Sequence, residues 1–417
     1  MERSRAALTR LVNEAEQRLQ PVYQRIAERV EYNQKCVLQA FQDANVQEHH
    51  FHESTGYGYD DSGRDALEAV YARVFHTEAA IVRPHITSGT HAIAACLFGI
   101  LRPGDKLLYI TGKPYDTLED VIGSHGGGNG SLADFNIDYE HVPLKHNAPD
   151  WERIASHLND KTKCVAIQRS RGYSRRPSFT VQEIADMVQF VKGIKRDVVV
   201  FVDNCYGEFV ETAEPTEHGV DIMAGSLIKN PGGGFAKSGG YIVGKKSLLE
   251  QVGGRLTAPG VGTEGGAMYG YTRDYFQGFF VAPHVVGEAL KGAVLAASVL
   301  EELGFRTSPK WNEDRTDVIQ QIDFESRELL IAFCQGIQAA SPVDSRVLPE
   351  PGPMPGYEVP VIMAAGTFVQ GASIELSADG PLRPPYTGFM QGGLTYSHVK
   401  IALISALDRM MSTGLLP

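Results

Sequence analysis

The feature that most constrains the fold of this 417-residue chain is a series of short apolar runs rich in β-branched residues. They are "AAIV" at 79–82, "KLLYI" at 106–110, "CVAIQ" at 164–168, "DVVVFVD" at 197–203 and "GGYIVG" at 239–244. Because they lack polar alternation and alternate with helix-like stretches, they predict an α/β fold with a mostly parallel central sheet flanked by helices. Functional residues are then expected at the carboxyl ends of the strands.

The C-terminal part of the chain has a different pattern. A connector rich in proline and glycine, "LPEPGPMPGYEVP", precedes the strand-like "VIMAAGTFVQGASIELS" and a final helix, "SHVKIALISALDRMM". This order predicts a smaller α+β domain that closes on the large one. We therefore expect an N-terminal helical arm at 1–50, a large domain around the central sheet at 51–290 and a small C-terminal domain at 291–417.

The N-terminal arm carries apolar residues at helical spacing. The pattern predicts an amphipathic helix that is interrupted near Pro21, because proline lacks the N–H group that a helix interior uses. The apolar stripe fits packing on the chain's own core and equally fits contact with a second subunit. Its residues are Leu8, Leu11, Val12, Ala15 and Leu19.

Charge and cysteine usage exclude several classes of function. A formal net charge of -11 and a pI near 5.7 remove the long-range attraction that nucleic acid or an anionic membrane requires. The cysteines are odd in number and widely spread, which predicts reduced thiols, and no cluster of His, Cys and carboxylates has metal-ligand spacing. Because no cluster has this spacing, we expect no metal site. No signal-peptide pattern opens the chain, so we expect a cytoplasmic protein. The cysteines are Cys36, Cys96, Cys164, Cys205 and Cys334.

Three polar elements follow apolar segments and are candidates for chemistry. Asp203 ends "VVVFVD", where a buried carboxylate is costly unless a cation or several donors meet it. Lys229 stands in "GSLIKNPGGG", and a lysine in a desolvated cleft can form a Schiff base. Ser88, Gly89 and Thr90 open an apolar helix whose free N–H groups can bind phosphate. Taken singly, the three elements also fit a strand-end cap, a surface lysine and a helix cap.

Taken together, the three elements point to pyridoxal 5'-phosphate. This cofactor needs a phosphate cradle, an acid that keeps its pyridine nitrogen protonated, and a lysine that forms a covalent aldimine. The chain supplies these parts in that order, with Lys229 as the aldimine lysine. It has no GxxxxGK[ST] motif, no GxGxxG motif after a first strand and no HExxH motif that would indicate a rival site.

Longer motifs extend this interpretation to a family. The sequence resembles the fold type I pyridoxal-phosphate enzymes of cysteine and methionine metabolism, and among them the methionine gamma-lyase-like or aluminium resistance protein branch. The resemblance covers nearly the whole chain and implies a fold type I transferase-like architecture. It is carried by "GYGYDDSGRDALEAVYARVF", "TSGTHAI", "GKPYDTLEDVIG", "QRSRGYS", "VDNCYGEF", "GSLIKNPGGG" and "GPLRPPYTGFMQGGLT".

The resemblance also implies roles for single residues. Asp203 matches the partner of the pyridine nitrogen, Tyr115 the aromatic ring that stacks on the cofactor, and Ser226 a serine that reaches the phosphate. A core tyrosine beside a turn is the alternative for Tyr115. The implied cofactor-binding residues are Ser88, Gly89, Thr90, Tyr115, Asp203, Ser226, Lys229 and Tyr57, and the implied catalytic residues are Lys229, Asp203 and Tyr115.

Substrate recognition is expected from arginine, because an amino-acid carboxylate is best held by a bidentate guanidinium group. Arg383 in "GPLRPPY" is the best placed by chain order, and an exposed loop arginine is the alternative. Arg169 and Arg171 in "QRSRGYS" are expected to shape the substrate pocket. His91 directly follows the phosphate turn and is either a group near the cofactor ring or an ordinary helix-start histidine.

Tyr57 links the site to assembly. Better-known relatives have a Tyr-x-Arg sequence whose residues help to hold the phosphate of a neighbouring subunit, whereas this chain has Tyr57-Gly58-Tyr59, and Arg64 lies farther on. The resemblance implies a homo-oligomer, a tetramer built as a dimer of dimers.

The implied activity is elimination from a sulfur-containing amino acid. Lys229 would act as the general base at Cα, and loss of a sulfur group from Cγ would give a keto acid, ammonia and a thiol. Alternatives are β-elimination from cysteine or cystathionine, transamination, or a protein that binds the cofactor with little catalysis.

Overall fold

Two β-sheets organise the computed structural model, which describes residues 2–354, 357 and 359–416. The large sheet has seven strands and the small sheet has five. In chain order the strands are β1 (Ala79–Arg83), β2 (Lys106–Tyr109), β3 (Asp138–His141), β4 (Thr162–Gln168), β5 (Val199–Asp203), β6 (Ile222–Ser226), β7 (Gly240–Gly244), β8 (Arg306–Ser308), β9 (Ile319–Asp323), β10 (Val361–Ala364), β11 (Ser377–Pro381) and β12 (Thr387–Gln391).

Helices cover both sheets and form the N-terminal arm. In chain order they are α1 (Glu2–Arg18), α2 (Gln20–Asp43), α3 (Ser62–Val74), α4 (Gly89–Ile100), α5 (Asp116–Ile122), α6 (Trp151–His157), α7 (Val181–Ile194), α8 (Lys246–Leu256), α9 (Thr272–Glu302), α10 (Arg327–Ala339) and α11 (Tyr396–Met411).

The large sheet has the strand order β1-β7-β6-β5-β4-β2-β3. The strands from β6 to β3 run parallel, and β7 and β1 are added in antiparallel pairings. All residues of β5, β6 and β7 are buried, as expected for strands that have helices on both faces. The predicted α/β fold with a mostly parallel central sheet is therefore confirmed.

The small sheet is antiparallel throughout, with the order β10-β11-β12-β9-β8. It confirms the predicted smaller α+β domain, although one detail differs. The strand-like segment after residue 360 does not form one strand, because residues 365–376 lie outside β10 and β11. The Glu375 carboxylate accepts the N–H groups of Phe368 and Val369 at 2.8 and 2.9 Å, so this segment closes on itself.

Helix α9 joins the two parts of the chain. It contacts α2 and α3 as well as α11 and strands β8, β9 and β12. The predicted domain boundary at residue 290 lies within this helix, so the division at that point stays a prediction. Among the described residues α9 is the helix with enough length and apolar composition to cross a membrane, but 72% of its apolar window is buried inside the protein.

The N-terminal arm breaks where proline predicted it. Helix α1 ends at Arg18, α2 begins at Gln20, and Pro21 occupies the first turn of α2, where its missing N–H is tolerated. Leu8, Val12, Ala15 and Leu19 of the apolar stripe are buried, and Leu11 is half-buried against the same core. Because α1 contacts α9 and α11, the stripe packs on the core of its own chain.

Candidate active site

The carboxyl ends of the central parallel strands bring three polar side chains side by side. Gln168 at the end of β4 is opposite Asp203 at the end of β5, and β6 ends next to them at Ser226. Parallel strands point their carboxyl ends to one edge of the sheet, so residues that are far apart in sequence meet there. The side chains at this edge of the sheet therefore lie close together, and their functional role stays a prediction.

Lys229 lies just beyond the end of β6. Its Nζ is 3.9 Å from the centroid of the Tyr206 ring, so a cation–π interaction stabilises the ammonium group. Burial alone would lower the pKa of Lys229, but the neighbouring Cys205 and Tyr206 outweigh it, and Asp203 also favours the charged form. The pKa of the lysine is therefore held above its usual range in this chain.

Asp203 faces Lys229 from the adjacent strand. Its Oδ1 accepts a hydrogen bond from the Cys205 N–H at 3.1 Å. Burial raises the pKa of the carboxyl, and the Lys229 cation opposes that rise. Because few other groups neutralise it, this acid is suited to a ligand that brings a cation or a donor N–H.

The N-terminus of α4 faces the same space. Ser88 is its N-cap and accepts the His91 N–H at 3.0 Å, while Thr90 Oγ1 is 3.1 Å from Thr117 Oγ1. A Cβ placed on Gly89 would lie 3.2 Å from the Cβ of Ser226. Glycine therefore keeps open a space beside free helical N–H groups and two hydroxyls, which is the chemistry of an anion site.

A cavity of about 240 Å³ is enclosed by these elements and by the small domain. The large-domain wall includes seven residues predicted from sequence, namely Ser88, Gly89, Thr90, Tyr115, Asp203, Ser226 and Lys229. Ile319, Ser373, Phe389 and Gln391 supply the small-domain wall. A wider cleft of about 610 Å³ between α4 and α8 contains none of the predicted residues, so we place the candidate site in the smaller cavity.

Tyr115 stands at the start of α5 with its ring at the cavity. Burial raises the pKa of its hydroxyl to about 12, and the nearby Tyr206 adds to the rise while Lys229 opposes it. The phenol therefore stays neutral at physiological pH and presents a flat face to the cavity.

Three predicted residues do not line this cavity. Tyr57 is 78% exposed and stacks on Tyr59, with ring centroids 5.5 Å apart. Arg171 is buried and donates to the backbone and hydroxyl oxygens of Ser308 and to Gln321 in the small sheet. Arg383 is exposed in the turn that precedes β12. The arrangement within one chain thus leaves their predicted roles untested.

Two other candidates have structural partners elsewhere. The guanidinium of Arg169 is fully buried and donates to Asn204 at 2.7 Å and Glu211 at 2.8 Å. His91 Nδ1 accepts the Thr87 N–H at 3.2 Å, which holds the imidazole along the helix start. Neither side chain lines the cavity.

Sequence reasoning missed several residues of the cavity wall. Gln168 ends a predicted strand and precedes Arg169, and Tyr206 follows Asp203 by three residues. Both positions are signals from which the two residues could have been predicted. Arg176 was also missed: its Nη2 donates to the carbonyls of Gln168 and Ser170 and fixes the turn after β4. The small-domain residues carry no comparable local signal.

Comparisons with known proteins identify the family of this chain. The methionine gamma-lyase family model matches residues 8–411. A Listeria monocytogenes protein described as a candidate cystathionine beta-lyase involved in aluminum resistance is 57% identical, with a TM-score of 0.95 over 96% of this chain and 99% of that chain. A carbon-sulfur lyase involved in aluminum resistance from Clostridium novyi is 48% identical, with a TM-score of 0.93 over 97% and 96%.

More distant structures share the fold alone. The pyridoxal-5'-phosphate-dependent protein YhfS from Escherichia coli is 16% identical, with a TM-score of 0.60 over 93% of this chain and 97% of that chain. The predicted fold type I architecture is therefore confirmed. Because the family model spans almost the whole chain, this protein belongs to the methionine gamma-lyase family.

Proposed function

We propose that this protein is a pyridoxal-phosphate-dependent carbon–sulfur lyase that eliminates a sulfur leaving group from an L-amino acid. The observation that carries the proposal is the meeting of Lys229 and Asp203 at one cavity, beside the open N-terminus of α4. Membership of the methionine gamma-lyase family supports it. The names of the similar Listeria and Clostridium proteins are consistent with the same class of reaction.

The cavity residues fit this cofactor. Gln168 Oε1 and Ser373 Oγ are buried without a hydrogen-bond partner in the described part of the chain, and both residues line the cavity. Such atoms are costly unless a ligand pairs with them. Gly89 leaves room where a Cβ would press on Ser226 and, at 3.3 Å, on the Cys205 sulfur. The open space suits a phosphate group at a helix N-terminus.

Each wall would hold one part of the cofactor. Ser88, Gly89 and Thr90, with Ser226 opposite, would bind the phosphate through N–H and hydroxyl donors. The Asp203 carboxylate would accept a hydrogen bond from the protonated pyridine nitrogen, and the Tyr115 ring would stack on the face of the cofactor ring. Lys229 would carry the cofactor covalently.

When bound, pyridoxal phosphate supplies an electron sink for the carbanion that forms at the substrate Cα. Lys229, released by the substrate amine, would take the Cα proton. The small-domain wall of the cavity would exclude water during this step. In β-elimination the bond between Cβ and sulfur then breaks, whereas γ-elimination first needs a second proton transfer from Cβ, for which Lys229 in the cavity wall would again serve as the base.

Two substrate types remain candidates within this proposal. The family description favours γ-elimination from methionine, which would give 2-oxobutanoate, ammonia and methanethiol. The description of the similar Listeria protein favours β-elimination from a cystathionine-type thioether, which would give pyruvate, ammonia and a thiol. The 2-oxo acid identifies which bond has broken, because its carbon count differs between the two reactions.

The test is incubation of the cofactor-loaded protein with L-methionine, L-cystathionine and L-cysteine in separate reactions. We expect a 2-oxo acid and ammonia in equal amounts from at least one of them, with the 2-oxo acid identified by mass spectrometry. Conversion of the substrate to a 2-oxo acid with loss of the amine to the cofactor, and with no thiol or sulfide released, would instead show transamination. Failure of all three to react would overturn the proposed function for these substrates.

We also propose that the protein works as a homotetramer, a dimer of dimers, in which Tyr57 and its neighbours complete the site of the adjacent subunit. The exposed stacked pair of Tyr57 and Tyr59 supports this, because large aromatic rings are seldom left in water without a partner. Closed two-fold contacts allow such an exchange to occur twice in each dimer.

A further inference from the structure

The small sheet turns one acidic side chain toward the candidate site. In the antiparallel pair of β11 and β12, Asp379 is opposite Phe389, and Ser377 is opposite Gln391. Residues directly opposite each other project from the same face of a sheet. Because Phe389 and Gln391 line the cavity, Asp379 lies on the cavity side of the small domain.

The carboxyl of Asp379 is short of partners. It is 3% exposed, its Oδ2 accepts a long hydrogen bond of 3.4 Å from Gln391 Nε2, and the Tyr173 hydroxyl is a further donor to the carboxyl. Its Oδ1 is buried with no hydrogen-bond partner in the part of the chain that the structure describes. A buried carboxylate without an ion pair is unfavourable, so a cation in the neighbouring cavity would stabilise it.

Asp323 on the same sheet provides a contrast. Its Oδ2 is 3.0 Å from Arg175 and 3.3 Å from Arg306, and its Oδ1 accepts the Thr387 hydroxyl at 2.7 Å. That carboxylate is neutralised by the protein itself. Asp379 has no ion pair of this kind among the described residues.

The charge of Asp379 reaches the cavity. Burial raises the pKa of the carboxyl to about 7, and the hydroxyl of Tyr173 opposes that rise. Asp379 in turn contributes to the raised pKa of Tyr173 and, after burial and nearer groups, to that of Tyr115. Both tyrosines line the cavity, so a cation between them and Gln391 would lie within the field of this carboxyl.

We propose that Asp379, immediately behind Gln391 and Tyr173, makes the site selective for thioether amino acids whose sulfur substituent carries an ammonium group. This inference rests on the proposed carbon–sulfur lyase function and specifies its substrate class. An ammonium held in the cavity next to Gln391 and Tyr173 would compensate the buried charge of Asp379. A methyl substituent, as in methionine, could not.

Equilibrium binding tests this selectivity without any bond cleavage. L-Ornithine and L-norleucine have side chains of equal length that end in an ammonium and a methyl group, and neither has a sulfur to eliminate. At pH 8 we expect the cofactor-loaded protein to bind L-ornithine at least about tenfold more tightly than L-norleucine, measured by the change in cofactor absorbance. Asp379→Asn should abolish most of that preference, and Asp379→Glu should retain part of it.

Ser377→Ala is the matched control, because it lies on the same strand and face and carries no charge. Cofactor content and thermal midpoint, measured for every variant, separate selectivity from misfolding. Equal binding of the two ligands by the wild type would overturn the proposal. So would an Asp379→Asn variant that is folded and loaded but keeps the wild-type preference.

Cleavage of a second matched pair separates this inference from the proposed function. S-(2-Aminoethyl)-L-cysteine and S-propyl-L-cysteine both allow β-elimination to pyruvate and differ in the terminal group. We expect the ratio of their kcat/KM values to favour the amine in the wild type and to fall at least about tenfold in Asp379→Asn. Cleavage of both with a ratio that Asp379→Asn leaves unchanged would overturn the selectivity alone. Binding selectivity that depends on Asp379, without elimination from any thioether, would instead overturn the lyase function.

Discussion

The ammonium of Lys229 lies 3.9 Å from the centre of the Tyr206 ring, on the cavity side of the sheet edge. Tyr206 holds this position with a left-handed backbone, φ 74°, which is costly for a residue with a side chain. The fold therefore places the lysine against an aromatic face and aims it into the cavity before any ligand arrives.

Replacing Lys229 should remove the covalent attachment of the cofactor. In Lys229→Ala, borohydride reduction followed by peptide mass spectrometry is expected to find no pyridoxyl adduct, since among the described residues no other lysine lines the cavity. Lys237→Ala is the control, because Lys237 is exposed and pairs with Asp274 at 2.9 Å. An adduct of normal yield in Lys229→Ala would show that another lysine carries the cofactor.

Asp203→Asn should slow the reaction while preserving the fold. Loss of the carboxylate removes the group that would keep the pyridine nitrogen protonated, so we expect kcat to fall at least about a hundredfold, or roughly 3 kcal/mol in the barrier. The amide can still accept the Cys205 N–H. Turnover near the wild-type value, measured by 2-oxo acid release, would mean that Asp203 serves as a strand-end cap.

Gly89→Ala tests the phosphate cradle. The added methyl would sit 3.2 Å from the Ser226 Cβ and narrow the space in front of α4, so the dissociation constant of the cofactor should rise at least about tenfold. Gly193→Ala is the matched control, since a methyl there meets nothing within 4 Å and α7 favours alanine. Equal cofactor affinity in both variants, measured by equilibrium dialysis, would place the phosphate elsewhere.

Glu208 should make stability depend on pH. Burial raises its pKa from 4.5 to about 8, so the folded protein binds this proton more tightly than the unfolded chain. The contribution of this proton to the free energy of unfolding is therefore full below pH 4.5. It falls as pH rises from 4.5, and it is lost once pH passes about 8. Glu208→Gln keeps an acceptor for the Tyr241 hydroxyl and should gain stability relative to the wild type by up to roughly 1.4 kcal/mol per pH unit in that window.

Thermal midpoints of the wild type and Glu208→Gln at pH 5 and pH 8 measure this effect. The difference between the two proteins should be larger at pH 8, and the exposed Glu31→Gln variant should show no such increase. A difference that is the same at both pH values would mean that Glu208 is ionised in the folded protein.

Subunit complementation tests the proposed exchange of Tyr57. Lys229→Ala chains and chains with Tyr57→Ala and Tyr59→Ala should each have little activity. Mixed dimers would regain one site that has both the lysine and the donated segment, so unfolding and refolding the mixture should restore up to about a quarter of the wild-type activity. Fully active monomers in analytical ultracentrifugation would contradict the exchange.

The large-domain half of the site could be predicted because its residues follow recognisable strand ends or open a helix. Asp203, Lys229 and the turn at Ser88 belong to short segments whose local pattern fixes their place. The small-domain half could not be predicted in this way. Phe389 reaches the cavity through the register of β12 with β9 and β11, and a shift by one residue would turn it away.

Arginine was the least predictable residue type. Arg383 is predicted because a carboxylate needs a guanidinium group, and Arg171 because "QRSRGYS" places charge at a strand end, yet sequence order does not reveal which arginines the fold uses for its own contacts. Arg171 ties the turn after β4 to Ser308 and Gln321 across the domain contact. The family resemblance predicts that a guanidinium group is needed, but only the tertiary packing shows which contacts each arginine makes.

The continuity of helix α9 limits how this protein can be redesigned. The helix begins in the large domain and ends beside the small sheet, and it has no break at residue 290. Replacing the C-terminal part by that of a relative at residue 290 would join two halves of helix α9. Any mismatch in the helical phase at the junction would reorient the small sheet and, with it, Phe389 and Gln391 in the cavity wall. Substrate specificity should therefore be changed by substituting single side chains on that wall, while helix α9 and both sheets are left unchanged.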